Sequence, residues 1–380
     1  MKVTFPHMGT LYIPVRAMLS SLGVDVVVPP PVDGRAVALG AKHAPELACF
    51  PLKVNLGNYL LARELGADTI LMAGGTGPCR FGYYAQVQRE ILRDLGLGYE
   101  MIVLEPPQGH LRELRDKLRR LVGRRSLADV LRAIRLAWSM FKALDEVDRE
   151  VLKLRCRELK RGAVDRVRAR WLEWVGRART PAEVKRARDR ALRALARVAG
   201  PPPRGLVRVG LVGEIFMVLE PAANLGVAER LNRLGAEVDQ SVWLSDWIRS
   251  HVLPNPFRFK RLDPVRRAAR PYLSHFVGGE GLESVGNTVR YAQRGYDGVI
   301  QIMPFTCMPE IVAQSILPRV SADHGIPVLT LIMDEHSAEA GLQTRLEAFV
   351  DLLRRRREKG LGPKGGGGGV DSKSTGRRRR

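Results

Sequence analysis

Cysteine is scarce in this chain, with four residues in 380, at positions 49, 79, 156 and 307. A disulfide scaffold is therefore excluded, and no two cysteines stand at Cys-x-x-Cys spacing. Aromatic residues make up only 6%. No apolar run reaches the roughly 18 residues that a membrane-crossing helix needs. The opening Met1-Lys2-Val3-Thr4-Phe5-Pro6 reads as a strand and lacks the basic head and apolar stretch of a secretory signal, so a cytoplasmic protein is expected. Missing too are a Gly-x-x-x-x-Gly-Lys-Ser/Thr loop and tandem Asp-x-Gly phosphate-binding motifs. What is present, 45% hydrophobic and 27% charged residues, suits a folded chain that buries sizeable cores.

The net charge of +22 is unevenly spread. Residues 111–200 hold 27 Lys and Arg against 12 Asp and Glu, and residues 354–380 hold 11 against 2. The remainder holds 24 against 26. Basicity thus belongs to one segment and a tail. No nucleic-acid-binding module is recognisable. Trp171 and Trp174, set among arginines, leave single-strand stacking open, but nucleic acid is not the expected partner.

Short apolar runs at 24–28, 69–73 and 101–104 alternate with helical spacing over 52–65 and 83–95. This is the pattern of βα units on a parallel sheet. It resumes with strands over 206–212, 237–243, 299–303 and 328–333, and helices over 222–234, 309–324 and 344–357, with 246–295 less regular and helical. Between them, residues 110–200 carry apolar residues every three or four positions and predict three or four amphipathic helices with a solvated basic face. The fold class expected is α/β: two doubly wound, Rossmann-like domains, 1–108 and 204–358. An Arg-rich helical insert spans 109–203, and a disordered basic tail, with five consecutive glycines, spans 359–380. Such paired domains place their ligand in the cleft between them.

Three cysteines share a setting. Cys49, Cys79 and Cys307 each lie in a loop before a helix with a proline within two residues, whereas Cys156 sits inside the insert as an incidental small residue. Loops after the strands of a doubly wound sheet converge at one edge. Helix N-termini there favour thiolates, the form that binds metal. Three thiolates fit an iron–sulfur cluster, or a zinc ion with His43 or His110 as a fourth ligand; ordinary buried residues are the plain alternative. Arg80 is placed to offset a thiolate cluster or grip a phosphate, or else to form a surface ion pair. Glu214, at a strand end, suits acid–base work or the part of a supporting hydrogen-bond acceptor. Asn224 suits backbone capping, and Thr344, Arg345 and Glu347 suit tying the last helix to the cleft.

Several segments together resemble the 2-hydroxyacyl-CoA dehydratase component family, in its CoA-protein activase-related or double-cubane-cluster-like branch. They are Ala48-Cys49-Phe50-Pro51-Leu52-Lys53, Gly74-Gly75-Thr76-Gly77-Pro78-Cys79-Arg80-Phe81-Gly82, and Val212-Gly213-Glu214-Ile215 with Pro221 and Asn224. Pro304-Phe305-Thr306-Cys307-Met308-Pro309-Glu310, Asp334-Glu335-His336-Ser337 and Thr344 to Phe349 complete the set. The match covers both α/β halves and leaves out the tail; the insert matches only in being helical. The resemblance implies a [4Fe-4S] cluster, or a related larger cluster, held by Cys49, Cys79 and Cys307. It also implies an ATP-hydrolysing activator of actin- or sugar-kinase-like fold that delivers a low-potential electron, and lyase or reductase chemistry on a small, acyl-CoA-type substrate. A double cubane needs two three-cysteine sets, and hence a pairing of sites such as dimerisation would bring. The alternative reading is a non-redox, polyanion-binding or scaffold protein with structural or zinc-bound cysteines.

Overall fold

The computed structural model describes residues 1–361 except 76, 106–110, 124 and 252–263. Two four-stranded, all-parallel sheets are interleaved with helices. The first runs β2-β1-β3-β4, from β1 (Lys2–Thr4), β2 (Asp25–Val26), β3 (Thr69–Ala73) and β4 (Glu100–Leu104). The second repeats the order as β6-β5-β7-β8, from β5 (Val207–Gly213), β6 (Ala236–Gln240), β7 (Gly298–Pro304) and β8 (Val328–Met333). In register, Val3 faces Thr69 and Val209 faces Gly298. Every residue of β7 is buried, which is why a run such as Val299-Ile300-Gln301-Ile302-Met303 reads as continuous rather than alternating. Each sheet changes winding direction at its centre, between β1 and β3 and between β5 and β7, and loops leaving these four strands line the switch points.

Helices α1 (Tyr12–Ser21), α2 (Gly34–His43), α3 (Phe50–Glu64) and α4 (Phe81–Asp94) complete the first half. The second holds α9 (Ile215–Leu219), α10 (Val227–Arg233), α11 (Leu244–His251), α12 (Pro264–Ala269), α13 (Gly281–Gln293), α14 (Met308–His324) and α15 (Glu339–Glu358). The helix expected over 222–234 is thus shorter, and α9 precedes it. Helices α1 and α2 were not expected at all. Helix α2 presses on α3 through glycines: a Cβ at Gly40 would overlap Lys53 O, and one at Gly57 would overlap Ala36 O.

The insert contains α5 (Leu111–Val122), α6 (Leu127–Leu154), α7 (Ala163–Arg177) and α8 (Pro181–Val198). Thr180 caps α8 by accepting from Glu183 N, with Pro181 in the first turn and the Glu183 carboxylate accepting from Arg179 N. The inner face of α6 packs Leu136, Met140, Leu144, Val147 and Val151 against Trp171, Val175 and Leu195, and against Ile13 of α1. Asp145 accepts the Ser245 N–H at 2.7 Å, and Arg149 pairs with Asp246 at 2.6 Å, both at the start of α11. The insert therefore braces both α/β halves, and only its outer face is a charged, solvated surface. Trp171 is fully buried and Arg190 covers Trp174, its guanidinium 3.9 Å from the ring centre, so neither ring offers an open stacking platform.

The two halves share one core. Val32, Phe50 and Val54 of the first pack with Val209, Trp243, Ile302 and Met333 of the second. Two buried polar ties cross the same boundary. Lys53 on α3 reaches Glu335, after β8, and donates to Glu46 O at 2.8 Å. His7, after β1, lies 3.0 Å from Glu220, at the end of α9. Among the described residues no helix is long and apolar enough to cross a membrane. The tail beyond residue 361, expected to be disordered, lies outside the described residues.

Candidate functional site

Cys49 is the N-cap of α3, with Pro51 in the first turn, and its carbonyl accepts from Leu52 N at 2.9 Å. Cys307 is the N-cap of α14, with Pro309 in the first turn, and its carbonyl accepts from Ile311 N at 2.9 Å. Both follow the same local logic: a proline that needs no N–H partner starts the helix and leaves the cysteine at its mouth. Cys79 lies between β3 and α4. Cys49 and Cys307 are buried, Cys79 is partly exposed, and all are free thiols. Cys156 lies apart, in the insert, with its sulfur 3.5 Å from Lys153 O.

The three loops meet at one oxygen. The carbonyl of Leu47, two residues before Cys49, accepts from Arg80 Nη1 at 3.2 Å and from Thr306 Oγ1 at 3.3 Å. Arg80 follows Cys79 and Thr306 precedes Cys307, so this carbonyl ties all three cysteine loops across the domain boundary. Thr306 holds φ at +67°, a left-handed conformation that a β-branched residue adopts only under constraint. Gly278 and Gly279, both at positive φ, pass between the Cys79 loop and the start of α14. A Cβ on Gly278 would come 2.9 Å from Cys79 N, and one on Gly279 3.3 Å from Pro309 and 3.9 Å from Cys79 Sγ.

The electrostatics differ from the thiolate expectation. Burial pushes the Cys49 thiol up to about 12; Glu214 adds to the rise, while a Tyr84 hydrogen bond opposes it. Burial raises Cys307 further, helped by Cys49, Glu214 and Glu310. Cys79 is raised by burial, with Glu280 and Glu214 adding to it. Desolvation thus outweighs the helix N-termini, and without a bound cation the sulfurs stay protonated. The carboxyls around them behave alike. Burial lifts Glu214 and Glu310 to about 7 and Glu280 well above its ordinary range. Glu214 caps α9 by accepting from Met217 N at 2.9 Å. Glu310 accepts from Ser284 Oγ at 2.9 Å and Gln301 Nε2 at 2.7 Å. Thiols held protonated, and carboxyls whose ionisation burial penalises, are what a bound metal cation reverses, because its charge favours the deprotonated ligands.

Both catalytic candidates, Glu214 and Arg80, therefore stand at the cysteine loops. Arg80 donates to a backbone carbonyl rather than forming the expected ion pair. Asn224 caps backbone groups, donating to Met217 O and accepting from Val227 N. Arg345 donates to Thr330 O and so ties α15 to β8; Gln343 donates to Glu347, and Thr344 Oγ1 to Ala340 O. His43 lies in the last turn of α2, and His110 lies outside the described residues. Sequence reasoning passed over Tyr84, Glu280 and Glu310. A signal for Glu310 existed in Gln301, a polar residue inside an otherwise apolar central strand that needs a buried partner. Among the described residues no three His, Cys, Asp or Glu side chains are arranged to hold a single metal ion. No protein-family model matches this chain, and no curated protein matches it.

Proposed function

We propose that this chain is the cluster-bearing component of a two-part redox system, with a [4Fe-4S]-type or related larger cluster held by Cys49, Cys79 and Cys307 between the two halves. The observation that carries this reading is the convergence of the three cysteine loops on the Leu47 carbonyl, with thiols close enough to raise one another's pKa. The donor set fits such a group. Three thiols come from three separate loops, and the glycine pair lets the backbone pass close beside Cys79. Each thiolate of a cubane binds a different iron, so its ligands stand further apart than those of a single zinc ion.

When bound, the cluster supplies one-electron transfer at low potential. The protein's residues do the positioning. Thr306 and Arg80 lock the loops, Tyr84 hydrogen-bonds Cys49, and the Lys53–Glu335 pair fixes α3 against the second half. By the resemblance, the electron comes from an ATP-hydrolysing activator of actin- or sugar-kinase-like fold. The substrate is a small molecule or an acyl-CoA that is reduced or dehydrated, with Glu214 as the candidate group to move a proton. The alternative, structural or zinc-bound cysteines in a polyanion-binding chain, makes the opposite prediction in one experiment. After anaerobic reconstitution with iron and sulfide, wild type and Cys156→Ser retain iron and sulfide. Cys49→Ser, Cys79→Ser and Cys307→Ser each lose most of both. Equal loading in all five proteins, or zinc in place of iron, contradicts the proposal.

A further inference from the structure

A [4Fe-4S] cubane carries four irons and takes a ligand at each, and the cysteine loops supply three. The two halves are counterparts around those loops. Helix α3 leads into β3 as α13 leads into β7. One residue past its C-cap, each helix is followed by a glycine at positive φ, Gly66 at +88° and Gly295 at +72°. An aspartate stands two residues beyond each glycine. Lys2 N donates to Asp68 and Arg208 N to Asp297, both at 2.7 Å. Each aspartate N–H donates back, to Lys2 O at 3.1 Å and to Arg208 O at 2.9 Å. A glycine also seats each helix on the one before it: a Cβ at Gly57 would overlap Ala36 O of α2, and one at Gly286 would come 2.3 Å from Val265 O of α12. Cys79, between β3 and α4, thus corresponds to Cys307, between β7 and α14. By the same correspondence Cys49, the N-cap of α3, is matched by Glu280, the N-cap of α13.

We infer that Glu280 is the fourth protein ligand of the cluster, a carboxylate oxygen at the position that the fold makes equivalent to Cys49; the inference rests on the cluster reading above. The chain runs beside the other ligands at this point. A Cβ on Gly279, its neighbour, would come 3.9 Å from Cys79 Sγ and 3.3 Å from Pro309, in the first turn after Cys307. The Glu280 charge is felt at the Cys79 thiol. Like Cys49 and Cys307, Glu280 is an N-cap whose side chain does not cap its own helix. Its carboxyl turns instead to the start of α9 and accepts from Ile215 N, beside Glu214. A carboxylate has a second oxygen to give an iron. Glu214, the other carboxyl felt by the thiols, is occupied in capping α9 through Met217 N. On ligation the Glu280 O–H bond is exchanged for an oxygen–iron bond, and the proton leaves to solvent.

The test compares wild type, Glu280→Gln and Glu280→Cys, each reconstituted with iron and sulfide without oxygen. Ferricyanide then takes one electron from the cluster, and an iron held without cysteine leaves as a ferrous ion, so that a [3Fe-4S] core remains. A colorimetric chelator follows the released iron, and electron paramagnetic resonance follows the core. Glu280→Gln sheds iron about tenfold faster than wild type, and Glu280→Cys about tenfold slower. Equal rates in all three proteins overturn the inference. So does a Glu280→Cys protein that loses iron as fast as Glu280→Gln, because Glu280 then acts only as a charge near the cluster. Where Glu280→Gln does not fold or load, Glu280→Cys decides alone: slower loss than wild type supports the inference, and equal or faster loss overturns it. A wild type that takes up no iron and sulfide sinks the cluster reading and the inference with it, whereas a loaded wild type with equal rates sinks the inference alone.

Discussion

Replacing Lys53 by methionine tests the claim that the two halves act as one folded unit around the cysteines. Lys53 is a charged residue inside α3, four positions from Cys49, and its side chain is 4% exposed. Its ammonium meets two partners, the Glu335 carboxylate and Glu46 O. The Glu335 side chain is itself 17% exposed. Methionine fills the stem's volume but leaves that carboxylate in a poorly hydrated place with no cation. Breaking one side of a buried pair in this way costs about 3–5 kcal/mol, against about 0–1 kcal/mol for an exposed pair. The value expected here is about 3 kcal/mol, at the low end because Glu335 retains some contact with water. The double variant Lys53→Met/Glu335→Gln removes both charges and returns to within about 1 kcal/mol of wild type. Equilibrium urea unfolding, read by fluorescence and circular dichroism, gives both numbers and their coupling. A cost under about 1 kcal/mol for Lys53→Met refutes the reasoning, because the pair would then behave as a surface contact. A second helix tests the same boundary from the insert's side. Burial raises the Asp145 carboxyl from 3.8 to about 6, so its contribution to stability is complete below pH 3.8 and is lost as pH rises through about 6. Over that window the loss is at most about 3 kcal/mol.

Asp145→Asn keeps an acceptor for the Ser245 N–H without the charge, so it gains on wild type as pH rises from 4 to 7; parallel stability–pH curves for the two proteins contradict this. Gly57→Ala drives a methyl into Ala36 O and forces α2 away from α3, and a loss of about 2 kcal/mol or more in urea unfolding is expected, as for other overpacked sites. The serine variants at positions 49, 79 and 307 lose cluster while Cys156→Ser keeps it, as iron and sulfide analysis would record.

Much of the frame was legible because burial on both faces leaves a plain sequence mark. Strands β3, β5 and β7 appear as apolar runs ended by glycine or proline, β8 as an apolar run ended by Asp334, and α3, α4 and α14 follow prolines or apolar spacing. Helices α1 and α2 were hidden for opposite reasons. In α1 Pro14 sits within a short apolar stretch, and in α2 glycines and alanines give almost no apolar stripe, since Gly40 is there for a close approach to α3. The apolar stripe of α6 was misplaced: spacing picks out Leu127, Leu131, Ile134 and Trp138, of which the first three are exposed, whereas the buried face carries Leu136, Met140 and Leu144, chosen by contact with α1, α7 and α8. The cysteine loops were recognisable from their proline neighbours. Their protonation was not, since local helix ends favour thiolates while burial, a property of the whole fold, decides against them.

The most direct test of the central claim is the visible spectrum of the protein purified without oxygen, taken together with its iron and sulfide content. The account predicts a broad brown absorbance that bleaches with dithionite and about four iron and four sulfide per chain, or more for a larger cluster. A protein that is colourless when purified, and remains colourless after iron–sulfide reconstitution, contradicts it.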